Sequence, residues 1–166
     1  PNAYDSRGQV KSKMNKHNEA IEDFNRAIEL DQTLDEAFQH RGWSNAALGD
    51  TTKAIADFNQ AIELNESEAI YHDDLGTIYV ALKNMKEAQK SFSKAIKLNG
   101  EFAEAYLHRA QLKLDQGKVK PSCKDLEEAA KLGSKEATKL YNENCVASEK
   151  AIEKKESEEK KPEDTE

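Results

Sequence analysis

No run of about 18 apolar residues occurs in this chain, so it carries no segment that could cross a bilayer as a helix. It also lacks a clustered excess of lysine and arginine. With 25 basic against 32 acidic side chains the net charge is −7, which argues against a nucleic-acid footprint, because phosphate binding needs concentrated positive charge. No nucleophile–base–acid set, glycine-rich phosphate loop, HExxH or CxxC pattern is present, so neither catalysis nor a metal or other cofactor is implied. There is no initiating methionine and no signal-like apolar segment at Pro1, and the opening reads as a fragment or a processed form to which further upstream repeats could belong. What remains, 37% apolar and 34% charged, is the balance of a helix-rich chain.

What is present is repetition. The stretch Ala20 to Leu30, AIEDFNRAIEL, returns as AIADFNQAIEL from Ala54, as AQKSFSKAIKL from Ala88 and, more faintly, as SCKDLEEAAKL from Ser122, each 34 residues on. Ala20, Phe24, Ala27 and Ile28 share one helical stripe. So narrow a stripe cannot be buried by one helix alone; it needs copies of itself alongside. A second pattern precedes each copy by 12 residues: Gly8, Gly42, Gly76 and Ala110, each four residues after Tyr4, Phe38, His72 and Tyr106. A bulky residue and a tiny one at this spacing lie on the same helix face, where the tiny one lets a partner helix approach.

These residues resemble the tetratricopeptide repeat (TPR) family, whose 34-residue helix–turn–helix unit has this alternation of small and large positions. The resemblance covers about four fifths of the chain. It departs from the family where Gln32, Glu66, Gly100 and Ser134 replace a proline and where Arg7, Arg41 and Arg109 replace leucine. It implies an all-α fold, a right-handed superhelical solenoid of four repeats at 1–34, 35–68, 69–102 and 103–136, with a capping helix over 134–146. The segment 147–166, charged in both signs, reads as a fraying helical extension or a disordered tail. The HRG at 40–42 resembles bacterial forms of the repeat.

Arg7, Arg41 and Arg109 are each followed 16 residues later by Asp23, Asp57 and Asp125; the third repeat has Leu75 and Ser91 instead. Positions equidistant from a connecting turn face each other in a helical hairpin, so each arginine is expected to pair with its aspartate, in a structural role. Cys123 and Cys145 also lie about equally far from a turn, at Gly133. They are either two small apolar residues packed between the last repeat and its cap, or a disulfide. The compartment is not written in the sequence; a cytoplasmic one is slightly favoured, and a disulfide between the two would admit a periplasmic or secreted one. His40, Asp74 and His108 recur at one repeat position, but stacked helices stand about 8–10 Å apart, too far for one ion.

The resemblance further implies that the first helices line a concave groove for extended peptides or helices. Its lining would be Asp5, Gln9, Gln39, His40, Trp43, Ile70, Asp73, Asp74, Thr77, Glu104, Leu107, His108 and Gln111. Trp43, the one tryptophan, would join Ile70, Val80, Leu107 and Leu114 in an apolar floor with an acidic rim. The family's lysine, asparagine and arginine clamp for chaperone carboxylates reads here as Asp5, Gln9, His40, Ile70 and Asp74, which would repel an acidic terminus. The expectation is a non-catalytic scaffold for a protein or peptide partner, neutral or basic, with an apolar anchor. The alternatives are a self-associating module of a longer solenoid and an accessory domain of a larger protein.

Overall fold

The computed structural model describes residues 1–146, and the charged tail expected over 147–166 lies outside the described residues. Among the described residues nine α-helices and no strand occur. They are α1 Asn2–Lys13, α2 His17–Leu30, α3 Asp35–Ala47, α4 Thr51–Leu64, α5 Ala69–Ala81, α6 Met85–Leu98, α7 Ala103–Asp115, α8 Val119–Lys131 and α9 Lys135–Tyr141. Consecutive pairs form antiparallel hairpins. The chain divides into two compact units, Pro1–Gly100 with α1–α6 and a second from Glu101 onward with α7–α9.

The hairpins close because the turn inside each one solves the same backbone problem. Asn15, Gly49, Lys83 and Gly117 stand 34 apart, and all four have positive φ. The next amide in each case donates five residues back: Lys16 to Lys11, Asp50 to Asn45, Asn84 to Tyr79 and Lys118 to Lys113, at 2.8–2.9 Å. This is the Schellman arrangement, which satisfies carbonyls that a helix end would otherwise leave exposed. The side chains of Asp50 and Asn84 then accept from Lys53 N and Glu87 N, capping α4 and α6.

Within each hairpin the small position meets a ring. A β-carbon at Gly8 would lie 2.5 Å from the Phe24 ring, at Gly42 3.1 Å from that of Phe58, and at Gly76 2.6 Å from that of Phe92. In the second unit Ala110 faces the smaller Leu126 instead, and both are fully buried. The three phenylalanines are at most 1% exposed, flanked by alanines at the stripe positions predicted from the sequence.

The second unit has a thinner core of Ala110, Leu126, Ala129, Ala137 and Cys145, with Leu107, Leu114 and Tyr141 packed on it. The sequence predicts one capping helix over 134–146. The structure ends α9 at Tyr141 and continues as a π turn, Asn142–Val146, that contains Cys145. Cys123 on α8 and Cys145 form a disulfide, with their Cα atoms 5.8 Å apart.

Candidate functional site

The arginines of the first helices are part of the hairpins rather than of an open site. Arg7 donates through Nε at 2.9 Å and through Nη2 to Asp23, which also takes Lys11 at 2.8 Å. Arg41 donates to Asp57 at 2.6 Å, where Asn45 adds a bond at 2.9 Å. Arg109 meets Asp125 at 2.7 and 2.8 Å, joined by Lys113 at 2.6 Å. Each guanidinium lies over the aromatic ring three residues before it, 5.1 Å from Tyr4, 5.3 Å from Phe38 and 5.8 Å from Tyr106. The Arg7 guanidinium, outweighing the cost of burial, holds the Asp23 carboxyl down at about 2. The partners Lys11, Asn45 and Lys113 are absent from the sequence-based expectation; they share one repeat position, and that recurrence is the signal that could have found them.

The face of α1, α3 and α5 in the first unit carries a different set of bonds, which join one repeat to the next. His40 Nδ1 bonds Asp5 at 2.8 Å, and Gln9 donates to the same carboxylate at 2.7 Å. Gln39 donates to Asp74, and the Tyr71 hydroxyl donates to Asp35 at 3.0 Å. Burial raises the pKa of Asp5, but hydrogen bonds from His40 and Gln9 outweigh it and bring it below the usual carboxylate value. Burial, helped by Asp35, pushes the Tyr71 phenol up.

This corrects the picture of an acidic rim turned to a ligand. Asp5, Asp73 and Asp74 are buried side chains, 8%, 4% and 6% exposed. For Asp5 and Asp74 the reason is register within the first unit: position five of one repeat meets position six of the next, so these two carboxylates are spent between neighbouring helices. Thr77 donates back to the Asp73 carbonyl at 3.2 Å. The apolar floor is also smaller than expected, because Leu107 and Leu114 pack on the core of the second unit. There Glu104 and Gln111 are exposed, His108 is half-buried, and Gln111 donates to Asp115 at 3.1 Å.

Trp43 remains at the surface, 37% exposed, as does Ile70 at 39%. The sequence places Trp43 outside the hairpin stripe, yet its ring stands edge-on to Phe58 with centroids 5.5 Å apart, so one edge packs and the other is open. The open edge borders a cleft of about 280 Å³ between α1 and α3, lined by Gln9, Ser12, Lys13, Phe24, His40 and Trp43. His40 tilts against Phe24 at 5.8 Å and is fixed by Asp5, so both walls of the cleft are held in place.

Several solved structures share this fold. MamA is 20% identical, with 93% of this chain and 97% of that one covered at a TM-score of 0.68. The first TPR of Spaghetti bound to the HSP90 peptide SRMEEVD is 22% identical over 69% of this chain and 91% of that one, at 0.64. A thermophilic TPR protein of Thermus thermophilus is 18% identical over 84% and 78%, at 0.74. No curated protein matches the chain by sequence. The family model described as Tetratricopeptide repeat matches residues 1–34, 35–68 and 71–102, more than half of the chain. With its hairpins closed by the same turn at the same 34-residue interval, the chain belongs to the tetratricopeptide repeat family.

Proposed function

We propose that the protein is a non-catalytic scaffold that seats an apolar side chain of a partner segment against Trp43, in the groove lined by the first helices. Repeats of this family form protein-interaction modules, and one structural neighbour, the first TPR of Spaghetti, holds an HSP90 peptide. The observation that carries the reading is the cleft beside Trp43: a half-open aromatic edge over a pocket whose walls are already fixed costs little ordering on binding. We assign a neutral or basic segment rather than an acidic terminus, because two groups of the cleft wall, Gln9 and His40, are backed by the Asp5 carboxylate that they hydrogen-bond. The Spaghetti peptide, with its EEVD end, is therefore not the ligand we assign. The Cys123–Cys145 disulfide supports an oxidising compartment, periplasmic or secreted, over a cytoplasmic one.

Peptides selected from a displayed random library give a direct test. Bound peptides are expected to shift the fluorescence of Trp43, the single tryptophan, and to lose at least about tenfold in affinity for a Trp43→Ala variant of unchanged helicity. Selected peptides that bind the variant as tightly as the wild type would place recognition elsewhere.

A further inference from the structure

One hairpin departs from the other three at a single cluster. Tyr4, Arg7, Lys11 and Asp23 become Phe38, Arg41, Asn45 and Asp57 in the second repeat and Tyr106, Arg109, Lys113 and Asp125 in the fourth. In the third the same positions hold His72, Leu75, Tyr79 and Ser91. The long cation and its carboxylate are both gone. At the seam between α2 and α4, Arg41 reaches across to donate to Asn25 at 2.7 Å. At the seam between α4 and α6 the equivalent residues are Leu75 and Asn59, and a leucine cannot make that bond.

A cleft of about 430 Å³ occupies this seam, with Asn59, Ile62, His72, Leu75, Tyr79 and Lys94 among its walls. It adjoins a second of about 440 Å³ through Ile62, His72 and Lys94, which line both. Leu75 belongs to the buried cluster with Phe58, and Ile62 and Tyr79 pack on it, so the floor is apolar and firm. Volumes of this order are those of small-molecule sites.

Four polar groups around that floor are uncommitted. Among the described residues Asn59, His72, Tyr79 and Lys94 make no side-chain hydrogen bond or ion pair. Burial, and then the positive charge of Lys94, pull the half-buried His72 imidazole below its ordinary value. The carboxylates on the walls are Glu63 and Glu66 in the second cleft and Glu87 in the first, and Glu87 lies 3.6 Å from Lys90. An anion placed between His72 and Lys94 would supply the partner that Asp57 supplies to Arg41 one repeat earlier.

We propose that the α4–α6 seam binds a small amphiphilic carboxylate, its apolar body on Ile62, Leu75 and Tyr79 and its carboxylate between His72 and Lys94. The site is separate from the Trp43 cleft and does not depend on the reading of that cleft. The probe is 4-phenylbutyrate, titrated into the whole chain while the ring signals of the four histidines are followed by NMR. Saturable shifts are expected at His72 and not at His17, His40 or His108. The neutral 4-phenylbutyramide should bind at least tenfold more weakly, and so should 4-phenylbutyrate to Lys94→Gln, a surface change that leaves the fold intact. The double variant Leu75→Arg/Ser91→Asp, which restores the pair found in the other repeats, should abolish the shifts, whereas Trp43→Ala should leave them unchanged. No shift at His72, equal binding of the amide, or unaltered binding by Lys94→Gln would each overturn the proposal.

Discussion

At the scale of single residues, the ionic clusters behave as units. Asp57 takes bonds from Arg41 and Asn45, so Asp57→Ala strands two donors in a half-buried place, while Arg41→Leu with Asp57→Ser copies what the third repeat already carries. The single change is expected to cost about 2 kcal/mol or more and the double change clearly less, read as denaturation midpoints; equal losses would show that the pair is not coupled. Asp23 gives the same cluster a pH signature. Its pKa falls from 3.8 to about 2 on folding, so its contribution is complete above about pH 4 and is lost as pH falls through about 2. The stability gap between wild type and Asp23→Asn should therefore close over that interval, and a gap that persists at lower pH would assign the effect to packing. The spacing of 16 between arginine and aspartate is readable because a hairpin pairs positions equidistant from its turn. The bonds from Asp5 to His40 and from Gln39 to Asp74 are not, because the repeat relates positions 34 apart while these partners stand 35 apart.

At the scale of the hairpin, fit between helices decides what each repeat tolerates. Gly76→Ala gains helix propensity but sets a β-carbon 2.6 Å from the Phe92 ring, and overlap of this kind costs about 1–3 kcal/mol. Gly76→Ala alone is expected to lower the midpoint, and Gly76→Ala with Phe92→Leu to recover much of the loss, since the fourth repeat uses Ala110 with Leu126. The turns offer a change in the other direction. Lys83 holds φ 57 at the position where two other repeats place glycine, so Lys83→Gly should stabilise by about 1 kcal/mol, measured by urea denaturation. The helix pairs are legible in the sequence because apolar stripes and turn residues recur together every 34 residues. The site is less so: periodicity assigns a residue to a face, but burial of Asp5 or packing of Leu107 on a neighbouring core depends on what the next helix brings against it.

At the scale of the whole molecule, stability in a repeat chain is a sum of local terms, so a constraint in one unit acts chiefly there. The second unit is the place where one is needed. Its buried cluster holds three alanines, one leucine and Cys145, and α9 is only 7 residues long. So small a core gives little burial to set against the entropy of ordering the cap. The disulfide joins residues 22 apart in sequence, and closing a loop of that order removes about 3 kcal/mol of unfolded-chain entropy. Reduction, or Cys123→Ser with Cys145→Ser, is then expected to speed amide exchange in α9 and the π turn by about a hundredfold, the equivalent of that free energy. Exchange within α1–α6 should stay as it was. Unchanged protection in α9 would mean that Ala137, Leu140 and Tyr141 hold the cap by packing alone, whereas faster exchange reaching α1 would mean that the two units unfold as one.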